Sequence, residues 1–303
     1  MSKTIEQSTK QKLKNMERTK GIPFNRLLDT LFLERVLARV ANSNYKEKLI
    51  FKGGLCLSQF LDLGRGTKDI DFLINELDEN EASLDIIFND ISKINLNDGF
   101  NFSNTSVSQL SLTDKKFPGF RITIEGSLGK ITNKVQIDVG VGDIVRPKTL
   151  DVVLLKDKES LFEDSVELVG YTVEYIFSEK LEAIIDLGNI NSRMKDFYDC
   201  YKMIQENVLD PTLVKLAIEA TFKTRQSTVG LIPIGLILGL EKRWNGFLRK
   251  EIKTNIKFKD VVNEINSYLK SIVSKSIEVT EKNFEELLLL SVEQAVEYSK
   301  NQK

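Results

Sequence analysis

The sequence predicts an α+β fold. Helical and alternating hydrophobic periods are interleaved up to about residue 155. From about residue 172 only helical periods remain, and glycine or proline punctuates the alternating runs. Strands mixed with helices therefore come first and helices alone follow, with a boundary between 160 and 172.

The elements follow in order. LLDTLFLERVLARV (27–40) repeats apolar residues at helical spacing, and LIF (49–51) is a short strand ended by Gly53 and Gly54. LCLSQFLDL (55–63) resumes as a helix, DIDFLI (69–74) is a strand, and LDIIFNDISKI (84–94) is a helix with one apolar side. FRITIEG (120–126), KVQIDVGVGD (134–143) and LDVVLL (150–155) alternate as strands do. Helical patterns then run to residue 303, broken at 188–192, at Asp210-Pro211 and by the glycines between 230 and 246. No internal repeat or low-complexity linker interrupts the chain.

A chain of 303 residues, 41% hydrophobic and 29% charged, can form one large or two ordinary domains, each with its own core. No apolar run reaches the roughly 20 residues of a membrane span, and MSKTIEQSTKQKLKNMERTK lacks the apolar centre of a secretory signal. A cytoplasmic protein without a membrane partner is expected. The two cysteines, Cys56 and Cys200, lie among apolar residues and read as small buried hydrophobes. Histidine is absent, which excludes triads that depend on it and removes the commonest transition-metal ligand. Carboxylate and lysine remain, a combination suited to hard cations and phosphate. The net charge of −1 is unevenly spread: residues 1–48 carry 11 Lys or Arg against 5 Asp or Glu, and residues 241–259 carry 7 against 2. Such an excess attracts polyphosphate or nucleic acid, although a solvated lysine-rich face accounts for either segment alone.

Asp69 and Asp71 emerge on one face of their strand while Ile70, Phe72 and Ile74 point the other way. Two like charges this close repel, and a divalent cation relieves the repulsion. Mg²⁺ takes oxygen ligands and keeps waters and substrate phosphates, so one or two protein carboxylates suffice. In KVQIDVGVGD, Gln136 and Asp138 oppose Val135, Ile137 and Val139, which makes Asp138 the third candidate carboxylate if its strand lies beside DIDFLI. Asp143 reads as a turn residue after glycine. Gly53 and Gly54, between strand and helix, let backbone N–H groups approach an anion. A glycine pair alone is turn punctuation; followed by D-x-D on the next strand, it points to phosphoryl or nucleotidyl transfer.

Lys180 interrupts the apolar stripe Val173, Ile176, Phe177, Leu181, Ile184, Leu187. An isolated lysine so placed lays its stem on the core and its ammonium in water; facing a phosphate pocket, it would neutralise the triphosphate. In SRMKDFYDCYKMI (192–204), Phe197, Cys200, Tyr201 and Ile204 share a face, and Arg193, Lys195, Asp196 and Asp199 cluster at the opening turns. Ser192 is the expected cap, fixing that cluster.

These residues resemble the AbiEii/AbiGii nucleotidyltransferase-like toxins (type IV toxin–antitoxin systems, abortive infection), within the wider group built on the DNA polymerase beta type of fold. The likeness spans four motifs and most of the chain. The first matches as Lys52, Gly53, Gly54, then Arg65-Gly66-Thr67-Lys68-Asp69-Ile70-Asp71, and the second as Asp138 with Gly142 and Asp143. The third is I-x-x-x-K from Ile176 to Lys180, and the fourth is R-x-K-D at Arg193, Lys195 and Asp196, with Asp199 following. The resemblance implies a polymerase beta-like mixed sheet flanked by helices over 1–165, then a helical domain over 166–303 carrying Lys180 and R-x-K-D. It implies catalytic roles for Asp69, Asp71, Lys180 and Asp196, and metal ligation by Asp69, Asp71 and Asp138. Nucleotide contacts fall to Lys52, Gly53, Gly54, Thr67, Arg193 and Lys195. It further implies a Mg²⁺-dependent transferase of a phage-defence system that moves a nucleotide from GTP or CTP to an acceptor, the tRNA 3′ end. The antitoxin would be a winged-helix protein acting without a stable complex. One departure stands out: Gly54, Leu55 and Cys56 offer no hydroxyl where relatives place serine or threonine, leaving phosphate to backbone N–H alone. A nucleotide-binding module without turnover, or a transferase acting on protein or a small molecule, fits the same residues.

Overall fold

Thr4 opens the first helix, α1 (Ile5–Lys20), by a reciprocal cap: its hydroxyl accepts from the Gln7 backbone N–H, and the Gln7 side chain accepts from that of Thr4. This is a computed structural model, which describes residues 4–110, 119–155, 159–233 and 235–274. The helical pattern expected beyond residue 274 lies outside the described residues. The chain divides into two compact units, Met1–Gln59 with Gly66–Gly142 and Pro147–Gly170, and Phe60–Arg65 with Asp143–Arg146 and Tyr171–Lys303.

In the first unit, α2 (Phe24–Ala41) buries every side chain from Leu31 to Val40. Two of these are arginines, and neither is left uncompensated. Arg39 donates to both Asp98 oxygens, at 2.9 and 3.0 Å, and to the Phe100 carbonyl; Arg35 donates to Asp98 at 2.8 Å and to Glu163 at 3.0 Å. The guanidinium groups also lie 4.6 Å from the ring centres of Phe162 and Phe102. Two of the cations counted in the basic N-terminal segment are thus spent inside the core.

Seven strands form one mixed sheet among the described residues: β1 (Leu49–Lys52), β2 (Asp69–Ile74), β3 (Phe100–Leu110), β4 (Gly119–Leu128), β5 (Ile131–Gly140), β6 (Lys148–Val153) and β7 (Ser165–Gly170). Their order is β3-β4-β5-β2-β1-β7-β6, with β2–β5 and β1–β7 parallel and the rest antiparallel. Ile70, Phe72, Ile122, Ile124, Ile137 and Val139 turn to the face packed by α2 and by α3 and α4, defined as Gly53–Leu57 and Glu81–Ser92 where they meet it. Burying one such phenylalanine contributes about 2–3 kcal/mol. At Gly126 of β4 an added Cβ would stand 2.8 Å from the Phe32 and Phe102 rings, so glycine lets α2 seat against the sheet.

The helix expected over 55–63 is shorter. It starts at Gly53 and stops at Leu57, because the Ser58 hydroxyl donates to the Leu55 carbonyl and Asp62 accepts from the Gly64 N–H. Hydrophobic periodicity continues through Leu61 and Leu63 because both are buried, in a turn rather than a helix.

The second unit is helical as expected: α5 (Val173–Leu187), α6 (Met194–Gln205), α7 (Pro211–Thr224), α8 (Leu236–Phe247) and α9 (Phe258–Ser274). Asp210 caps α7 by accepting from Thr212 and Leu213 N–H, with Pro211 in the first turn. Phe258 packs at 5.0 Å from Phe197 and 5.3 Å from Trp244, whose indole N–H donates to the Ile256 carbonyl at 2.7 Å. Cys56 and Cys200 are buried and form no disulfide. Among the described residues no helix is long and apolar enough to cross a membrane.

Candidate active site

Strand alternation puts Asp69 and Asp71 on one face, half-buried, with Ile70 and Phe72 fully buried behind them. The strand of Asp138 is the parallel neighbour, and its register sets Asp138 directly beside Asp71. The row extends in both directions. Lys52 of β1 is the register partner of Asp71, and Arg121 of β4 is the register partner of Asp138. Arg121, Asp138, Asp71 and Lys52 therefore form a rung of four charged residues across four adjacent strands, cations outside and carboxylates inside.

Arg121 grips Asp138 with two parallel hydrogen bonds, Nε to Oδ1 and a terminal nitrogen to Oδ2, both 2.8 Å. Those bonds, with the fields of Asp138, Asp69 and Asp71, hold its guanidinium above the ordinary value despite partial burial. Sequence reading missed Arg121, although a signal exists. The Gly129-Lys130 turn pairs Leu128 with Ile131, and counting back along that two-residue hairpin brings Arg121 opposite Asp138.

Gly53 has φ +73°, and a Cβ there would overlap the Asp71 carboxylate and come 2.7 Å from the Asp71 Cβ. Glycine is required by both the backbone angle and the space. Gly54 follows in the first turn of α3, and Thr67, half-buried, precedes β2.

The divalent cation that nucleotidyltransferases generally use has a chemical match in Asp69 and Asp71, two hard oxygen donors on one strand face beside a glycine that leaves the carboxylate room. Among the described residues, no three His, Cys, Asp or Glu side chains gather as a metal-holding group. Asp138 is turned to Arg121.

In the helical unit Lys180 is largely covered and pairs with Asp196 at 2.7 Å and Asp199 at 2.9 Å. Burial alone would lower its pKa, but the two carboxylates outweigh that and raise it above the usual lysine value. Burial likewise pushes Asp199 upward, and Lys180 and Arg65 more than reverse it. Arg65 binds Asp199 through Nε at 2.9 Å and through a terminal nitrogen. Two cations and two carboxylates close a neutral cluster. The R-x-K-D residues part company here: Asp196 turns inward while Arg193 and Lys195 are exposed. Arg65, 134 positions away from Asp199, has no local sequence signal for the pairing.

Ser192 does not cap α6. Arg193 occupies the cap position with no side-chain bond, because buried Asn191 accepts from the Arg193 N–H at 2.7 Å and shapes the turn instead. Asp143, expected as a turn residue, is also an ion-pair partner: Arg225 donates to its two oxygens at 3.0 and 2.9 Å and to Glu182 at 3.0 Å.

The fold resembles that of solved nucleotidyltransferases. MenT4, a nucleotidyltransferase toxin from Mycobacterium tuberculosis, aligns with a TM-score of 0.53 at 12% identity, covering 93% of each chain. A nucleotidyltransferase from H. pylori aligns at 0.50 and 12% identity, covering 84% of this chain and 97% of that one. No curated protein matches by sequence. The family described as nucleotidyl transferase AbiEii toxin, type IV TA system, matches residues 35–287.

Fold and family together define a nucleotidyltransferase. The chain belongs to the AbiEii family of type IV toxin–antitoxin toxins, which implies a nucleoside triphosphate substrate and an antitoxin partner.

Proposed function

We propose that this toxin transfers a nucleotide from GTP or CTP to the 3′ end of a tRNA, with Mg²⁺ held by Asp69 and Asp71. The observation that carries the reading is the register: both carboxylates share one face of β2, Asp71 lies beside Asp138, and Gly53 backs onto Asp71 without a side chain. Bound there, the cation would supply charge neutralisation for the triphosphate and its departing pyrophosphate. Lys52 and the N–H groups of Gly53 and Gly54 take phosphate oxygens, with Thr67 as a nearby hydroxyl. The acceptor hydroxyl oxygen bonds to the α-phosphorus as the bond to the bridging oxygen breaks. Pyrophosphate leaves with that electron pair, and the hydroxyl proton passes to a carboxylate of the sheet face.

Lys180 and Asp196, with Arg193 and Lys195, are assigned to the reaction on their family motifs. Within the helical unit, Asp196 fixes the Lys180 ammonium. The RNA acceptor is supported by the basic segment 241–259, whose seven cations (Lys242, Arg243, Arg249, Lys250, Lys253, Lys257 and Lys259) are all exposed. RNA would be gripped there through its phosphates. A winged-helix antitoxin that acts without a stable complex completes the reading. Purified protein incubated with each labelled triphosphate, Mg²⁺ and total RNA is expected to label one tRNA class. Absence of label on any RNA removes the tRNA assignment.

A further inference from the structure

Asp138 spends both oxygens on Arg121, at 2.8 Å each, in bidentate geometry. The guanidinium thus occupies the donor atoms that a cation beyond Asp71 would need, one strand away in direct register. Unlike the buried arginines of α2, Arg121 keeps much of its side chain in solvent; beside Asp138 it meets the Gln136 side chain, whose amide oxygen, turned toward the guanidinium, accepts from it at 3.1 Å. A long side chain on a strand surface can exchange such partners without opening a core.

We infer that Arg121 is a latch on Asp138: without nucleotide it keeps this carboxylate from divalent cations, and an arriving triphosphate takes the guanidinium and releases Asp138. The inference rests on reading Asp69 and Asp71 as the cation-holding pair. Arg121 is a positioning residue in the resting protein and a contact to the substrate's phosphates once nucleotide is bound. The triphosphate is chemically suited to the exchange, since it offers a guanidinium several anionic oxygens in place of one carboxylate. The latch makes cation uptake by the third carboxylate follow substrate binding, so the full acidic set assembles only on a loaded enzyme.

Mn²⁺ binding to the full chain without nucleotide, followed by the spin resonance of free Mn²⁺, tests this. R121Q is expected to bind Mn²⁺ about tenfold more tightly, because a positive charge leaves and a carboxylate is freed. The double variant R121Q/D138N is expected to return to wild-type affinity, and D138N alone to stay within about twofold of wild type. R121Q is also expected to bind a non-hydrolysable GTP about tenfold more weakly. Unchanged or weaker Mn²⁺ affinity in folded R121Q overturns the latch, and unchanged nucleotide affinity overturns the exchange. D138N weakening Mn²⁺ binding tenfold also overturns it, a result that stands even if R121Q does not fold. D71N separates the two levels. If D71N binds Mn²⁺ like wild type, the reading of the acidic pair fails; if it loses Mn²⁺ while R121Q is unchanged, only the latch fails.

Discussion

On the sheet, Arg121 keeps 41% of its side-chain surface and Asp138 keeps 18%; in the helical unit, Lys180 keeps 11% and Asp199 none. Both clusters set cations against carboxylates. The first is a row on a strand surface, where water screens the charges and partners exchange at modest cost. The second is closed inside packed helices, where each charge depends on the others being present. The same chemistry therefore leaves partners exchangeable in one region and holds the Lys180 ammonium fixed in the other, and burial decides which.

Asp71→Asn puts the largest expected effect on the first region. Transfer activity should fall by about a thousandfold or more, with loss of one cation ligand and its charge. Thermal unfolding should shift little, since the half-buried Asp71 lies outside the packed face. Steady-state transfer assays beside a melting curve check this, and a large loss of stability would break the contrast.

Lys180→Met inverts the expectation. It strands Asp196 and Asp199 in the core, leaving Arg65 on Asp199, and should destabilise by about 3–5 kcal/mol in urea unfolding. Adding Asp196→Asn should recover part of that loss. A stable Lys180→Met would show that the helical cluster is as exchangeable as the sheet row.

Glu34 sharpens the comparison as a buried acid whose neighbours do not outweigh burial. Burial pushes its pKa from 4.5 to about 7, against the Leu155 N–H and Arg35, which lower it. The unfolded chain ionises near 4.5, so the folded state holds the proton more tightly and stability falls as pH rises from there through about 7. Glu34→Gln should stabilise by about 1–3 kcal/mol at pH 8, the gain vanishing as pH falls toward the unfolded value. Unfolding curves across that range measure it.

The smallest effects fall at the start of α6. Asn191→Ala should cost about 1–2 kcal/mol, and Ser192→Ala less than about 0.5 kcal/mol, by denaturant unfolding. The reverse order would restore Ser192 as the cap.

The acidic face was legible because a strand period of two fixes direction: Ile70, Phe72, Ile137 and Val139 had to be inside, so Asp69, Asp71 and Asp138 had to share the other side. Lys180 was legible as a charge on an apolar stripe that needed a partner. Its partners were half legible, since Asp196 and Asp199 lie one turn apart, but Arg65 reaches Asp199 only through tertiary folding. Strand β7 carries the alternating Val166 and Leu168 yet is too short and too close to the helical region to stand out. The α3 overextension and the Ser192 cap failed for a common reason. In both places a polar side chain, Ser58 or Asn191, takes a backbone group that the helical pattern would have used.

At Gly53 any side chain would compete with the Asp71 carboxylate for one volume. Replacing that glycine displaces the carboxylate while the hydrophobic core beneath stays intact. Cells selected to survive the toxin's expression should therefore accumulate missense changes at this codon, yielding a folded, harmless protein rather than a degraded one.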